Sequence, residues 1–214
     1  MEILYSDNHI AVCIKPAGVS SEDSGKASVP ALLREAGCAE SVYTVHRLDK
    51  DVSGVMVYAK TSVAAAELTR QITAGCFIKE YTAMIIGAPE HDEGEYRDLL
   101  FHDKTKNKSY VVSRMRRGVR EAVLHYRTVG GGIIGKTRVT IVKVLLETGR
   151  THQIRVQFSS RGTPIVGDRK YGGGNAPVAL TSTRLEFVHP ATKKPMRFDA
   201  ETPDSMPWTE IKEK

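Results

Sequence analysis

Residues 77–89, FIKEYTAMIIGAP, constrain the fold more than any other stretch of this chain. In an extended strand successive side chains alternate between faces, so Tyr81, Ala83 and Ile85 point one way and Thr82, Met84 and Ile86 the other. Both sets are largely apolar, which predicts a central strand covered on its two sides. The neighbours it needs are found on either side of it in the sequence. ILYSDNHIAVCIKPAG reads as a hairpin turning at Ser6-Asp7-Asn8 and ending at Pro16-Ala17-Gly18. SVYTVH and GVMVYAK read as two further strands, EAVLHYRTV and TRVTIVKVLLET as a pair around a GGGIIG loop, and VALTSTRLEFVHP with KKPMRFDAE as a final pair.

Helical signals are fewer. SVPALLREAG has Ser28 as N-cap, Pro30 in the first turn and Gly37 as a stop. TSVAAAELTRQITAG has Thr61 or Ser62 as cap, Val63, Ala66 and Ile72 near helical spacing, and Gly75 at its end. TGRTHQIRVQFSSRG offers Thr151 as cap, an Ile154/Phe158 pair four residues apart and Gly162 as stop. Strands outnumber helices and the two are not strictly alternating. This predicts an α+β fold with a long mixed, mainly antiparallel sheet, helices packed on it and a central cleft. No repeat, low-complexity tract or linker divides residues 1–214, so a single domain is expected.

The bulk composition narrows the function classes. At 214 residues with 41% hydrophobic content the chain can bury a core, and its 31 Lys+Arg against 25 Asp+Glu leave a net charge of +6. The excess favours an anionic partner such as nucleic acid. Cys13, Cys38 and Cys76 form no CxxC pair, so spacing suggests neither a disulfide framework nor a zinc site, and reduced, buried thiols are expected. The N-terminal residues carry Glu2 and Asp7 and no long apolar run, so a cytoplasmic protein without membrane association is expected.

Three segments carry unusual polar content. VHRLDKDVSG, residues 45–54, places unlike charges around Leu48 on the loop between two strands. From His102 to Arg120, basic side chains interleave with Tyr110, Val111, Val112 and Met115; this is either an exposed hairpin with a solvated face or an arm that contacts phosphates. The third segment starts a helix directly off a strand and carries Arg150, His152 and Arg155.

Together these residues resemble the motif set of the RluA-type pseudouridine synthases. The match comprises His46-Arg47-Leu48-Asp49 with Ser53-Gly54, Lys79-Glu80-Tyr81, and Gly149 through Arg155 (GRTHQIR). The opening hairpin with its KPAG ending and GTPIVGDRKYGG are similar to further family blocks in the same order, so nearly the whole chain is covered. Val52 stands where the family usually has Thr, and VQF follows Arg155 where VHL-like sequence is common. Many relatives also carry a small N-terminal S4-type RNA-binding domain, which is expected to be absent here.

The resemblance implies isomerisation of a uridine in RNA, tRNA or ribosomal, without metal or organic cofactor. The N1–C1′ bond breaks, the base turns, and C5 joins C1′. It assigns Asp49 as the catalytic carboxylate, acting by attack at C1′, by stabilising an oxocarbenium-like centre, or by removing the C2′ proton to give a glycal. An apolar base pocket disfavours a charged carboxylate, and a guanidinium within hydrogen-bonding reach offsets that; the motif match gives this role to Arg155. Tyr81 is assigned to the base, stacking on it and accepting the C5 proton directly or through water. Arg47 is assigned to bracing the gap left by an extruded nucleotide. Leu180 is expected to wall the uracil pocket. No obligate protein partner is implied, and a monomer is expected.

Two rivals stand beside this reading. A non-catalytic RNA-binding or RNA-chaperone protein would keep the fold and the basic surface, but would tolerate erosion of Asp49, Tyr81 and Arg155. A metal-dependent hydrolase would use His46, Asp49 and His152 and would need tightly bound metal.

Overall fold

The computed structural model describes residues 1–211. Along the chain the elements are β1 (Ile3–Ser6), β2 (Ile10–Lys15), α1 (Val29–Glu35), β3 (Tyr43–Thr44), β4 (Ser53–Ala59), α2 (Ser62–Thr73) and β5 (Ile78–Ile86). They continue with β6 (Glu93–Asp103), β7 (Lys108–Val112), β8 (Val119–Ile134), β9 (Thr137–Leu146), α3 (Gln153–Ser159), β10 (Leu180–Val188) and β11 (Pro195–Asp199). The fold is α+β, and the chain forms two compact units.

The first unit comprises residues 1–79 and 181–201. Its β1–β2 hairpin turns where expected, because the Asp7 carboxylate accepts the backbone N–H groups of His9 and Ile10 at 2.7 and 2.8 Å. β2 pairs antiparallel with β4, as β10 does with β11, while β4 and β10 run parallel, and that pairing makes the sheet mixed. One face follows the strand period of two: Ile10 and Val12, then Val55, Val57 and Ala59, then Leu185 and Phe187, packed beneath Ala64 and Leu68 of α2. Both helices of this unit start as the sequence indicates. Ser28 Oγ accepts the Ala31 N–H at 3.3 Å and Thr61 Oγ1 the Ala64 N–H at 3.1 Å.

The face that α2 buries differs from expectation. Ala64, Leu68 and Gln71 point inward, while Val63 is 79% exposed. Gln71 is held on this face by its amide, which hydrogen-bonds both the N–H and the C=O of Val188 at 2.8 Å. The thiols also divide: Cys13 is buried, Cys38 half-buried and Cys76 exposed.

The second unit comprises, among the described residues, 80–180 and 202–211. Here β5, β9, β8, β6 and β7 lie in that order, all antiparallel. From Tyr81 to Ile85 every side chain of β5 is buried, as the two-sided apolar pattern requires. α3 packs Val156 against Leu100, Ala122 and Tyr171, and Phe158 against the rings of Tyr96 and Tyr126. Gly130-Gly131-Gly132, expected in a loop, lie within β8. They pair with Ile141, Thr140 and Val139 of β9 after a register shift between Thr128 and Gly130, and the β8–β9 turn comes only at Gly135. Thr151 is not the cap of α3: His152 takes the N-cap position with φ 56°, in the left-handed region.

Gly54 shows why the loop motif ends in glycine. It has φ 123° where β4 meets β10, and a Cβ there would lie 2.3 Å from the Ser182 carbonyl oxygen and 2.4 Å from its nitrogen. Gly54→Ala is therefore expected to destabilise the protein by about 2–4 kcal/mol, through steric overlap and backbone strain together, read as a lowered midpoint in urea unfolding.

Candidate active site

The 45–52 loop is held from below at alternate residues. His46 Nε2 accepts the Val57 N–H at 3.2 Å, and its ring lies 5.4 Å from that of Phe77. Desolvation, reinforced by the Lys79 charge, pushes this imidazole down to about 3, so it is neutral. Leu48 is buried, and its carbonyl accepts the Ser21 hydroxyl at 2.8 Å. Val52 is buried too; its N–H bonds the Asp49 carbonyl at 3.0 Å and closes the turn. That closure uses only backbone atoms, so valine serves where the family has threonine. Between these anchors Asp49 is half-buried, and Arg47 is exposed with its guanidinium 3.4 Å from Glu22.

A buried lysine completes the seat. Lys15, at the end of β2, donates to the carbonyls of Pro16, Val19 and Lys50 at 2.9, 2.7 and 3.0 Å. Gly18 N–H bonds the same Lys50 carbonyl at 2.8 Å. The KPAG ending is thus a clamp on the residue after Asp49. Burial lowers the Lys15 ammonium to about 8, against the opposing pull of Asp51 and Asp49.

In the second unit the GRTHQIR segment is fixed by its own polar residues. Gln153 Oε1 accepts the Thr148 hydroxyl at 2.8 Å and the Arg150 N–H at 2.9 Å, and Nε2 donates to the Val123 carbonyl at 3.1 Å. Arg150 itself reaches the Glu121 carbonyl. Arg155 is 4% exposed and makes a two-point contact with a fully buried carboxylate, Nε to Asp168 Oδ2 at 2.7 Å and Nη2 to Oδ1 at 2.8 Å.

Sequence reasoning had not singled out Asp168, although it lies in the GDRKYGG block. Tyr171 in the same block was also missed. Its hydroxyl accepts the Ser109 N–H at 2.7 Å and meets His152 Nδ1 at 2.9 Å. Burial pushes this phenol up to about 12. Tyr81, on β5 opposite Val144, and Leu180, at the start of β10, are both buried.

The structure thus anchors Arg47 and Asp49 in the first unit and Tyr81, Arg155 and Leu180 in the second. Each histidine proposed as a metal ligand is already engaged, His46 by Val57 and His152 by Tyr171. The donor cluster that could hold a metal among the described residues is a different one, Glu95, His125 and Glu147. No helix among them is long and apolar enough to cross a membrane.

Residues 9–160 match the family described as RNA pseudouridylate synthase. The chain belongs to that family. It is 34% identical over 216 residues to "Uncharacterized RNA pseudouridine synthase YhcT" of Bacillus subtilis, covering 96% of this chain and 70% of that protein. It is also 34% identical over 233 residues to "Ribosomal large subunit pseudouridine synthase D" of Pseudomonas aeruginosa, covering 97% and 70%. Among solved structures, "Human RNA Pseudouridylate Synthase Domain Containing 1" superposes with a TM-score of 0.80 at 22% identity, over 94% of this chain and 83% of that one. A second human protein, "Domain Containing 4" of the same name, gives 0.76 at 23%, over 95% and 89%. These two establish the shared fold. The chain is accordingly an RNA pseudouridine synthase, which sets aside the hydrolase and chaperone readings.

The Lys15 clamp has a pH signature. Its folded value of about 8 lies below the ordinary 10.5, so the folded chain binds fewer protons than the unfolded chain between these limits. Stability from this group is fully present above pH 10.5 and is lost as pH falls through 8. The stability of the wild type relative to Lys15→Met is therefore expected to rise from pH 8 to 10.5 in denaturant titrations, whereas a flat difference would contradict the assignment.

Proposed function

We propose that this synthase converts a uridine of ribosomal RNA to pseudouridine with Asp49 as the catalytic carboxylate. The observation that carries the reading is the seating of its loop. His46, Leu48 and Val52 point inward and Lys15 grips the Lys50 carbonyl, while Asp49 stays half-buried between them. A carboxylate on so constrained a turn has a defined direction, which is what a group acting at the ribose needs. In this reading Arg155 is the cation that stabilises the carboxylate, Tyr81 meets the base, Leu180 walls the uracil, and Arg47 braces the gap left by the extruded nucleotide. Attack at C1′ and the glycal route both fit these roles. The enzyme acts in the cytoplasm as a monomer.

The ribosomal target is supported by relatives named for the large ribosomal subunit. RNA engagement is supported by the β6–β7 hairpin and the segment after it, where Lys104, Lys106, Arg114, Arg116 and Arg117 are all exposed. Arginines on a projecting ribbon neutralise phosphates and release counterions.

Asp49→Asn is expected to melt like the wild type and to lose conversion by at least about 10³-fold, since no other group replaces the carboxylate. Pseudouridine mapping of total RNA from cells carrying either form reads this out, and a ribosomal site retained with Asp49→Asn would refute the assignment. Replacing Arg114 and Arg117 together with alanine is expected to weaken RNA binding several-fold and to reduce the slope of log affinity against log salt by about 2, with conversion at saturating RNA unchanged.

A further inference from the structure

We propose that Asp168 is a positioning residue of this enzyme: it fixes the plane of the Arg155 guanidinium, on which the role assigned to Arg155 depends. This rests on the reading above, in which Arg155 is the cation for Asp49.

The geometry begins at the arginine. A guanidinium is a flat fork at the end of a side chain with four torsions, and a single contact leaves it free to swivel. Asp168 takes Nε and Nη2 together, at 2.7 and 2.8 Å, which fixes the plane and leaves one direction for the remaining edge. The carboxylate is in turn immobilised by its backbone. Asp168 N–H bonds the Ile165 carbonyl, and its own carbonyl accepts the N–H groups of Tyr171 and Gly173 at 3.1 and 2.8 Å. The loop is so tight at this point that a Cβ on Gly173 would lie 1.7 Å from the Ile165 carbonyl oxygen.

The same turn also grips the basic hairpin. The Tyr171 ring lies 5.4 Å from the Arg155 guanidinium, and its hydroxyl accepts the N–H of Ser109 on β7. Lys170 Nζ donates to the Asn107 carbonyl at 2.7 Å. Residues 168–171 therefore bridge the arm assigned to RNA and the arginine assigned to catalysis. Stability alone is a poor reason for such a pair, because burying two charges costs about as much as their attraction returns.

Asp168→Asn keeps size and one oxygen but loses the charge and one of the two acceptors. With purified enzyme and an RNA fragment containing the mapped uridine, kcat is expected to fall by about 10–100-fold, as for a reacting group displaced by a fraction of an ångström. KM and RNA affinity should stay within about twofold, the split expected when ground-state binding is intact. In an Arg155→Lys background the same substitution should add little, because its effect runs through the guanidinium. A lowered melting temperature with kcat unchanged, or additive effects in the two backgrounds, would overturn the proposal.

Asp49→Asn in parallel separates the two ideas. If that variant is inactive while Asp168→Asn turns over normally, only the positioning role fails; if it is active, the reading beneath it fails. Should Asp168→Asn not fold, Tyr171→Phe tests the same turn. It keeps the ring but loses the hydroxyl's bonds to Ser109 and His152, and a several-fold fall in kcat is expected, whereas unchanged kcat counts against positioning.

Discussion

The buried Arg155–Asp168 pair imposes conditions that much of the second unit meets. Two ions removed from water are tolerated only with near-ideal geometry and satisfied surroundings. The seven-residue helix that carries Arg155 also keeps Gln153 and Gln157 buried. Gln157 answers to the Tyr96 and Ala122 carbonyls and the Asp98 carboxylate, as Gln153 does to Thr148, Arg150 and Val123. The helix is too short to hold itself together, so tertiary hydrogen bonds set its position. The left-handed His152 at its start is pinned by Tyr171, from the same turn that presents Asp168.

Local signals made most of the fold legible beforehand. The Asp7 turn, the Ser28 and Thr61 caps and the two-sided burial of β5 each depend on residues a few positions apart, and each appears where the pattern placed it. What escaped was set by partners far along the chain. Gln71 is buried on α2 because it binds both backbone groups of Val188, a contact no hydrophobic period can encode. Three glycines read as a loop became a bulged strand because β9 pairs with them.

The site was legible in a similar, divided way. Motif order identified the loop with Asp49 and the helix with Arg155, and both segments proved to be heavily braced. The braces themselves were not visible. Lys15 sits at a strand end where a lysine ordinarily reaches water, and its burial follows only from how Pro16, Val19 and Lys50 converge on it. Asp168 lies thirteen residues from Arg155, in a Gly-rich stretch whose composition suggests only a connection.

The two buried cations do different electrostatic work. Arg155 is matched by Asp168, so the pair carries no net charge and can offer a neighbour mainly directed hydrogen bonds. Lys15 is held by neutral carbonyls, which satisfy its three protons but leave its charge uncancelled. That charge is felt by Asp51 and Asp49 on the loop it clamps. A guanidinium suits the first task because its fork fits a carboxylate edge, and an ammonium suits the second because it donates in three directions. Exchanging lysine for arginine at either place would conserve the charge and lose the geometry, which is why the positive charge of these two motifs cannot be treated as interchangeable surface basicity.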